Sequence, residues 1–235
     1  MLLTQQGLAE SRERAQALII AGKVRVGGET VRRPDRTVDA GAAITVDATT
    51  EYASRGALKI GPALDRFGVD PAGLVCADIG ASTGGFTDVL LRRGAARVYA
   101  LDVGRGLLHW RIRQDPRVVV IERVNAREME RFPEPVALVV IDVSFIGLEK
   151  VLPAVTRAAP GAQVVALFKP QFQVERGQVG KGGIVRDPVA VDAAMSRFRE
   201  WCAANALEVV AEALSELTGA DGNQEIFVQL RQVSP

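Results

Sequence analysis

The segment Val75 to Leu91 constrains this chain more than any other, because it joins a short apolar run to a helical pattern through a turn rich in glycine. Val75 to Ile79 is β-prone and mostly apolar, whereas Phe86-Thr87-Asp88-Val89-Leu90-Leu91 spaces its apolar residues for a helix. Asp78-Ile79-Gly80-Ala81-Ser82-Thr83-Gly84-Gly85-Phe86 is therefore a strand-to-helix loop, and its three glycines remove side chains that would keep a ligand off the backbone. The spacing G-x-x-x-G-G departs from the G-x-G-x-x-G of dinucleotide sites, where the middle glycine admits a pyrophosphate. It points to a nucleoside ligand that carries no pyrophosphate.

The pattern around this loop repeats. Strands are predicted at Val75–Ile79, Arg97–Leu101, Val118–Ile121, Val136–Ile141, Gln163–Phe168, Leu207–Leu214 and Gln224–Leu230. Helices are predicted from Arg55 towards Phe67, with Leu58, Leu64 and Phe67 available for packing, and at Gly85–Arg93, Leu107–Gln114, Leu148–Arg157 and Val189–Asn205. This alternation implies an α/β fold, a doubly wound Rossmann-like sheet of seven mostly parallel strands. With 235 residues, 48% hydrophobic, the chain has room for that domain and a small second one. Cys76 and Cys202, far apart among apolar residues, read as buried thiols of a reducing compartment, with no disulfide framework and no metal site. No apolar run approaches the ~18 residues of a membrane span, and the first ten residues lack the pattern of a signal peptide. A cytoplasmic protein is expected.

Residues 1–47 read as a separate small α+β domain, with 48–54 as linker and 55–235 as the larger domain. A helix over Ser11 to Ala21 precedes Lys23-Val24-Arg25-Val26, the turn signal Gly27-Gly28, Glu29-Thr30-Val31 and Ala43-Ile44-Thr45-Val46. Between Arg12 and Arg36 stand seven Lys/Arg against three acids, in a chain whose formal net charge is only +1. Such a local excess suits phosphate contacts, although an ordinary solvated face has the same composition. The run Gly7 to Ile19 followed by Gly22 to Gly28 resembles the S4 RNA-binding domain, which implies an RNA-facing surface bearing Arg12, Arg14, Lys23 and Arg25. S4 domains begin with a further apolar helical turn, for which Met1 to Gln6 leaves little room, so a truncated domain or an upstream start is expected.

In an open parallel sheet the ligand lies beyond the carboxyl ends of the strands, and the residues there are polar: Asp78, Asp102, Asn125, Asp142 and Lys169. Asp102 stands 22 residues after Gly80, near the ~20-residue offset at which an acid takes the ribose of an adenosine cofactor. Asp is also common in turns, so Asp102 by itself could be ordinary turn chemistry. His109 has no partner spacing that makes it a catalyst, and Trp110 and Trp201 read as core. Gln173 to Asp187 carries Arg176, Lys181, Arg186 and four glycines; a loop of that length inside a compact domain is either a binding loop, here closing over RNA, or a mobile surface segment.

Ser54-Arg55-Gly56-Ala57-Leu58-Lys59, the loop Asp78 to Thr87, Asp142-Val143-Ser144-Phe145-Ile146 and Phe168-Lys169-Pro170-Gln171-Phe172 together resemble the TlyA family, over nearly the whole chain. Its members, often described as hemolysins, join an S4 domain to an FtsJ-like methyltransferase. The resemblance implies methyl transfer from S-adenosylmethionine to a cytidine ribose 2'-hydroxyl of rRNA. It also implies a catalytic tetrad of Lys59, Asp142, Lys169 and Glu225. It places Asp78, Gly80, Ser82, Thr83, Gly84, Gly85 and Phe86 around the methionine part of the cofactor, Asp102 and Val103 at its ribose, Asn125 at the adenine and Asp142 at the methyl end. Arg55 joins the RNA-facing residues. Lys169 is the candidate for orienting or deprotonating the hydroxyl; burial and Lys59 lower an ammonium pKa, whereas Asp142 and Glu225 oppose that shift. Short termini imply the large ribosomal subunit as partner. Two rival readings stand beside this one: an RNA-binding ribosome-assembly factor with a vestigial cofactor site, which the intact tetrad disfavours, and a membrane-lytic hemolysin, which the lack of an apolar span disfavours.

Overall fold

The computed structural model describes residues 2–9, 12–20, 22–39, 41–46, 52–219 and 221–233; the side chains of Glu13, Arg14, Ala17 and Arg176 lie outside that description. The chain divides into two compact units, Met1–Glu51 and Tyr52–Pro235.

In the first unit, α1 (Leu2–Gln5) and α2 (Arg12–Ile20) precede β1 (Val24–Val26), β2 (Glu29–Val31) and β3 (Ile44–Val46), in an antiparallel sheet ordered β2-β1-β3. Val26 faces Glu29 across the turn, and Gly27 and Gly28 both take positive φ, 58° and 87°, as a type I′ hairpin requires. Leu3, Ala15, Leu18 and Val24 form the core. Leu3 belongs to α1, so a helical turn does stand before Gly7, where little room for one was expected.

The second unit is built on a seven-stranded sheet ordered β6-β5-β4-β7-β8-β10-β9. Its strands are β4 (Val75–Ile79), β5 (Arg97–Asp102), β6 (Val118–Glu122), β7 (Leu138–Ile141), β8 (Gln163–Phe168), β9 (Leu207–Leu214) and β10 (Ile226–Gln232). Neighbours from β6 to β8 pair in parallel, whereas β10 runs antiparallel to both β8 and β9. The helices are α3 (Ala57–Phe67), α4 (Gly85–Arg92), α5 (Trp110–Arg113), α6 (Leu152–Ala158) and α7 (Pro188–Ala204). Alternate residues of one strand serve opposite faces. Val139 and Ile141 of β7 pack with residues of α6 and α7, and Leu138 and Val140 pack with α3, α4 and α5. Cys76 and Cys202 are fully buried free thiols, pushed up to about 12 by burial. Among the described residues, no helix is long and apolar enough to cross a membrane.

Several local expectations are corrected. The helix predicted over 148–157 is a 3-10 turn, Leu148–Lys150, followed by α6; Pro153 in the first turn of α6 has no N–H to donate backwards, so it suits a helix start rather than an interior. α5 is one turn, and its Trp110 is 53% exposed instead of core. Leu58 also faces solvent; Ala57, Ile60 and Leu64 fill the buried stripe of α3. Of the predicted linker, residues 48–51 lie outside the described residues, while Tyr52 and Ala53 pack on α4, with the Ala53 N–H donating to Asp88 at 2.7 Å.

Candidate active site

Chain order leaves β4 for β5 and β6 on one side and returns to β7 and β8 on the other, so the crevice at the carboxyl ends of β4 and β7 is the topological switch point where α/β ligands bind. The glycine-rich loop after β4 and Asp142 after β7 meet there. Gly80 has φ +86°, and a Cβ on it would lie 2.4 Å from the Asp142 carbonyl oxygen. The loop is held by two bonds to the Leu101 carbonyl, from Gly80 N–H at 2.8 Å and Ala81 N–H at 3.0 Å. Ser82, at φ 47°, donates its N–H to Asp102 Oδ2 at 2.8 Å, while Asp102 Oδ1 accepts from Gly104 N–H at 2.7 Å. Each carboxylate oxygen has two lone pairs, so Asp102 retains capacity for ligand hydroxyls.

Asp78 lies beneath the loop, fully buried, rather than on the crevice wall. Its Oδ2 accepts from the Thr87 N–H at 2.9 Å and the Thr87 hydroxyl at 2.6 Å, which caps the start of α4; Oδ1 has no hydrogen-bond partner. Burial pushes its carboxyl up to about 7, with the Thr87 bond opposing and Asp142 adding to the rise. In the unfolded chain the carboxyl ionises near 3.8, so between about pH 4 and pH 7 the folded state holds the extra proton and loses stability as pH rises. Melting temperature should therefore fall by several degrees over that window, and Asp78→Asn should flatten the fall; parallel melts of parent and variant from pH 5 to 8 check this.

Two clefts open beside the loop and share Ser82 and Asp142. The first, about 320 Å³, has apolar walls from Val103, Leu107 and Ile146, with Asp102 and Asn125 as polar points. That combination, at the small end of ligand sites, fits a nucleoside: apolar faces for a base and a carboxylate for ribose hydroxyls. The Asn125 Oδ1 accepts from the Arg127 N–H at 3.1 Å. The second cleft is lined by Lys59, Arg55, Ser54, Thr83, Asp142 and Thr218, among others, so two cations and one carboxylate reach it.

Two residues of the second cleft, Lys59 and Asp142, each belong to an ion pair whose other member, Glu225 or Lys169, lies behind the lining. Lys59 Nζ lies 2.5 Å from Glu225 Oε2, with 13% and 2% of the side chains exposed. Lys169 Nζ lies 2.6 Å from Asp142 Oδ1, a charge contact without hydrogen-bond alignment, and donates to Ser144 Oγ at 3.0 Å. The sheet explains the convergence. Ile226 of β10 pairs with Phe168 of β8, which sets Glu225 opposite Lys169, and parallel pairing of β7 with β8 brings Asp142 to the same end. An antiparallel strand is needed for this, because it begins where its neighbours finish.

A cleft whose lining fits a nucleoside thus adjoins one lined by Lys59, Arg55 and Asp142. An FtsJ-like methyltransferase model matches residues 52–232, and an S4 domain model matches residues 1–44. The 16S/23S rRNA (cytidine-2'-O)-methyltransferase TlyA of Mycobacterium tuberculosis is 48% identical over 97% of this chain and 87% of its own. The chain belongs to the TlyA family of FtsJ-like methyltransferases. The 23S rRNA (cytidine-2'-O)-methyltransferase TlyA of Campylobacter jejuni is 34% identical over 75% of this chain and 69% of its own. A solved structure of a candidate hemolysin from Streptococcus thermophilus has a TM-score of 0.78 at 39% identity, covering 99% of this chain and 87% of the other.

The TlyA-type residues inferred from sequence fall into distinct places. Gly80, Ser82, Asp102, Val103, Asn125 and Asp142 line the first cleft; Thr83, Gly85 and Phe86 line the second. Gly84 lies under Leu108, and Phe86 is also core, 3% exposed and 6.1 Å from the Phe227 ring. Arg12, Lys23, Arg25, Arg55, Lys181 and Arg186 are exposed, and the side chains of Arg14 and Arg176 lie outside the described residues. Ser144, Thr87 and Thr218 were not singled out from sequence. Ser144 and Thr87 sit inside motifs that were, and a hydroxyl two residues after Asp142 was the available signal; Thr218 gave none.

Proposed function

We propose that this chain transfers methyl from S-adenosylmethionine to the 2'-hydroxyl of a cytidine in large-subunit rRNA, in the cytoplasm. The observation that carries the reading is the pair of clefts sharing Asp142 and Ser82, one with a lining that fits a nucleoside and the other lined by Lys59 and Asp142, which pair with Glu225 and Lys169. 23S rRNA stands in the description of both named relatives, together with 16S rRNA in the Mycobacterium one and alone in the Campylobacter one, which supports large-subunit RNA as a substrate. When bound, the cofactor supplies a sulfonium methyl, already a strong electrophile. Asp102 and Asn125 would hold its ribose and adenine, Val103 and Leu107 would cover the base, and Asp142 would face the methyl end.

The protein's own task is then positioning and proton removal. Lys169, fixed by Asp142 and Ser144, orients the 2'-hydroxyl and takes part in loss of its proton. Lys59, fixed by Glu225, adds a second cation in the second cleft, and the exposed Arg55 of the same lining suits the phosphate of the target nucleotide. The test incubates ribosomal subunits with methyl-labelled cofactor and maps the product. Label on a cytidine 2'-oxygen of large-subunit RNA is expected. Label on a base would overturn the mechanism, and label confined to the small subunit would overturn the substrate.

A further inference from the structure

Asn223 is buried, 2% exposed, and both ends of its side-chain amide are engaged by one loop. Oδ1 accepts from the Val185 N–H at 2.9 Å, and Nδ2 donates to the Gly183 carbonyl at 2.8 Å. The side chain thus pairs with the loop as the peptide of a neighbouring strand would. The loop is itself closed by the Gly180 N–H to the Ile184 carbonyl at 3.0 Å and the Gly183 N–H to the Gly180 carbonyl at 3.1 Å. Lys181 stands at its tip and Arg186 just beyond, both exposed.

The backbone of Asn223 is bonded into a turn beside the ion pair. Its carbonyl accepts from the Gly219 N–H at 2.8 Å, and Gly222 N–H donates to the Gly219 carbonyl at 3.0 Å. The turn so formed lies against Glu225, since a Cβ on Gly219 would fall 2.7 Å from Oε1. Glu225 in turn holds Lys59. A buried amide is costly unless its partners are met; here the side chain finds both partners on the cationic surface loop, while the backbone of the same residue is bonded into the turn beside a site carboxylate.

We infer that Asn223 is a positioning residue, a latch that fixes the loop 180–185 to the Glu225 turn and so holds Lys181 and Arg186 in place for RNA phosphates beside the site. This rests on the rRNA methyl-transfer reading. A latched loop meets RNA with its ordering cost already met, which favours binding over that of a loop ordered at the encounter.

The test compares parent and Asn223→Ala by limited trypsin cleavage after Lys181 and Arg186, by cofactor affinity, and by steady-state methyl transfer to rRNA. Cleavage should quicken about tenfold and the KM for rRNA should rise about tenfold, while cofactor affinity stays within about twofold, because Asn223 lines neither cleft. Asn223→Asp, which keeps size and the acceptor for Val185 but loses the donor to Gly183, serves if the alanine variant does not fold, and should show the same split. Unchanged cleavage would overturn the latch. Faster cleavage with unchanged KM and kcat would reduce Asn223 to anchoring a surface loop and overturn its role towards RNA. Absence of methyl transfer by the parent would defeat the methyl-transfer reading instead, and protection of the two cleavage sites by an rRNA fragment would still read the latch.

Discussion

Lys169→Ala is expected to lower single-turnover methyl transfer to rRNA by about a thousandfold, within the ~10² to 10⁴ typical of a general acid-base group. Cofactor affinity should change little, because Lys169 does not line the nucleoside cleft. Among the described residues the ammonium pairs with Asp142 and donates to Ser144, so on the proposed reading the loss falls on the group assigned to the hydroxyl. Lys169→Arg refines the result. Its guanidinium restores a cation beside Asp142 but cannot give up a proton and presents a different donor geometry, so folding should recover and the rate should not. A rate within about threefold of the parent in Lys169→Ala would mean that the two ion pairs are structural supports.

Gly80→Ala is expected to abolish cofactor binding and to cost about 3 kcal/mol of stability, or roughly 6–12 °C in Tm for a unit of this size. Two causes act together. At φ +86° an L side chain is strained, and the new Cβ would sit 2.4 Å from a backbone oxygen that cannot swing aside as a side-chain tip can. Relief requires the β4 loop and the Asp142 segment to separate. Since Asp142 belongs to both clefts and contacts Lys169, one added methyl should disturb the nucleoside site and the lysine together. Calorimetric titration with S-adenosylmethionine, and the thermal shift it produces, measure this; binding at parental affinity would show that the loop yields freely.

The elements legible in the sequence were those whose pattern and whose burial have the same cause. β4, β8 and β9 have the predicted bounds; β4 and β8 are mostly apolar, buried runs, whereas β9 carries Glu208 and Glu212 among its apolar residues and is only partly buried. α5 was overextended because Leu107 and Leu108 carry helical spacing but serve another purpose: Leu107 walls the nucleoside cleft and Leu108 covers Gly84. Trp110 looked like core for the same reason, an apolar residue among apolar neighbours, and composition does not tell which way a one-turn helix faces. The site carboxylates and lysines were legible as strand-end residues, and their pairing was not. That Lys59 takes Glu225 while Lys169 takes Asp142 depends on register across β8 and β10, which spans some sixty positions. Asn223 carried no signal at all, since its partners are backbone groups about forty residues earlier.

The place of β10 has a consequence for how the protein is made. Because β10 lies between β8 and β9 yet follows both in the chain, it is an interior strand inserted after both its neighbours have been synthesised. Until then β8 and β9 each present an unpaired edge, the state most open to association with other chains. Lys59 meanwhile waits for a carboxylate that lies 166 positions later. Closure of the sheet and completion of the Lys59–Glu225 pair thus wait for one segment, so the ribosome must deliver β10 before the chain it is making can act on ribosomal RNA.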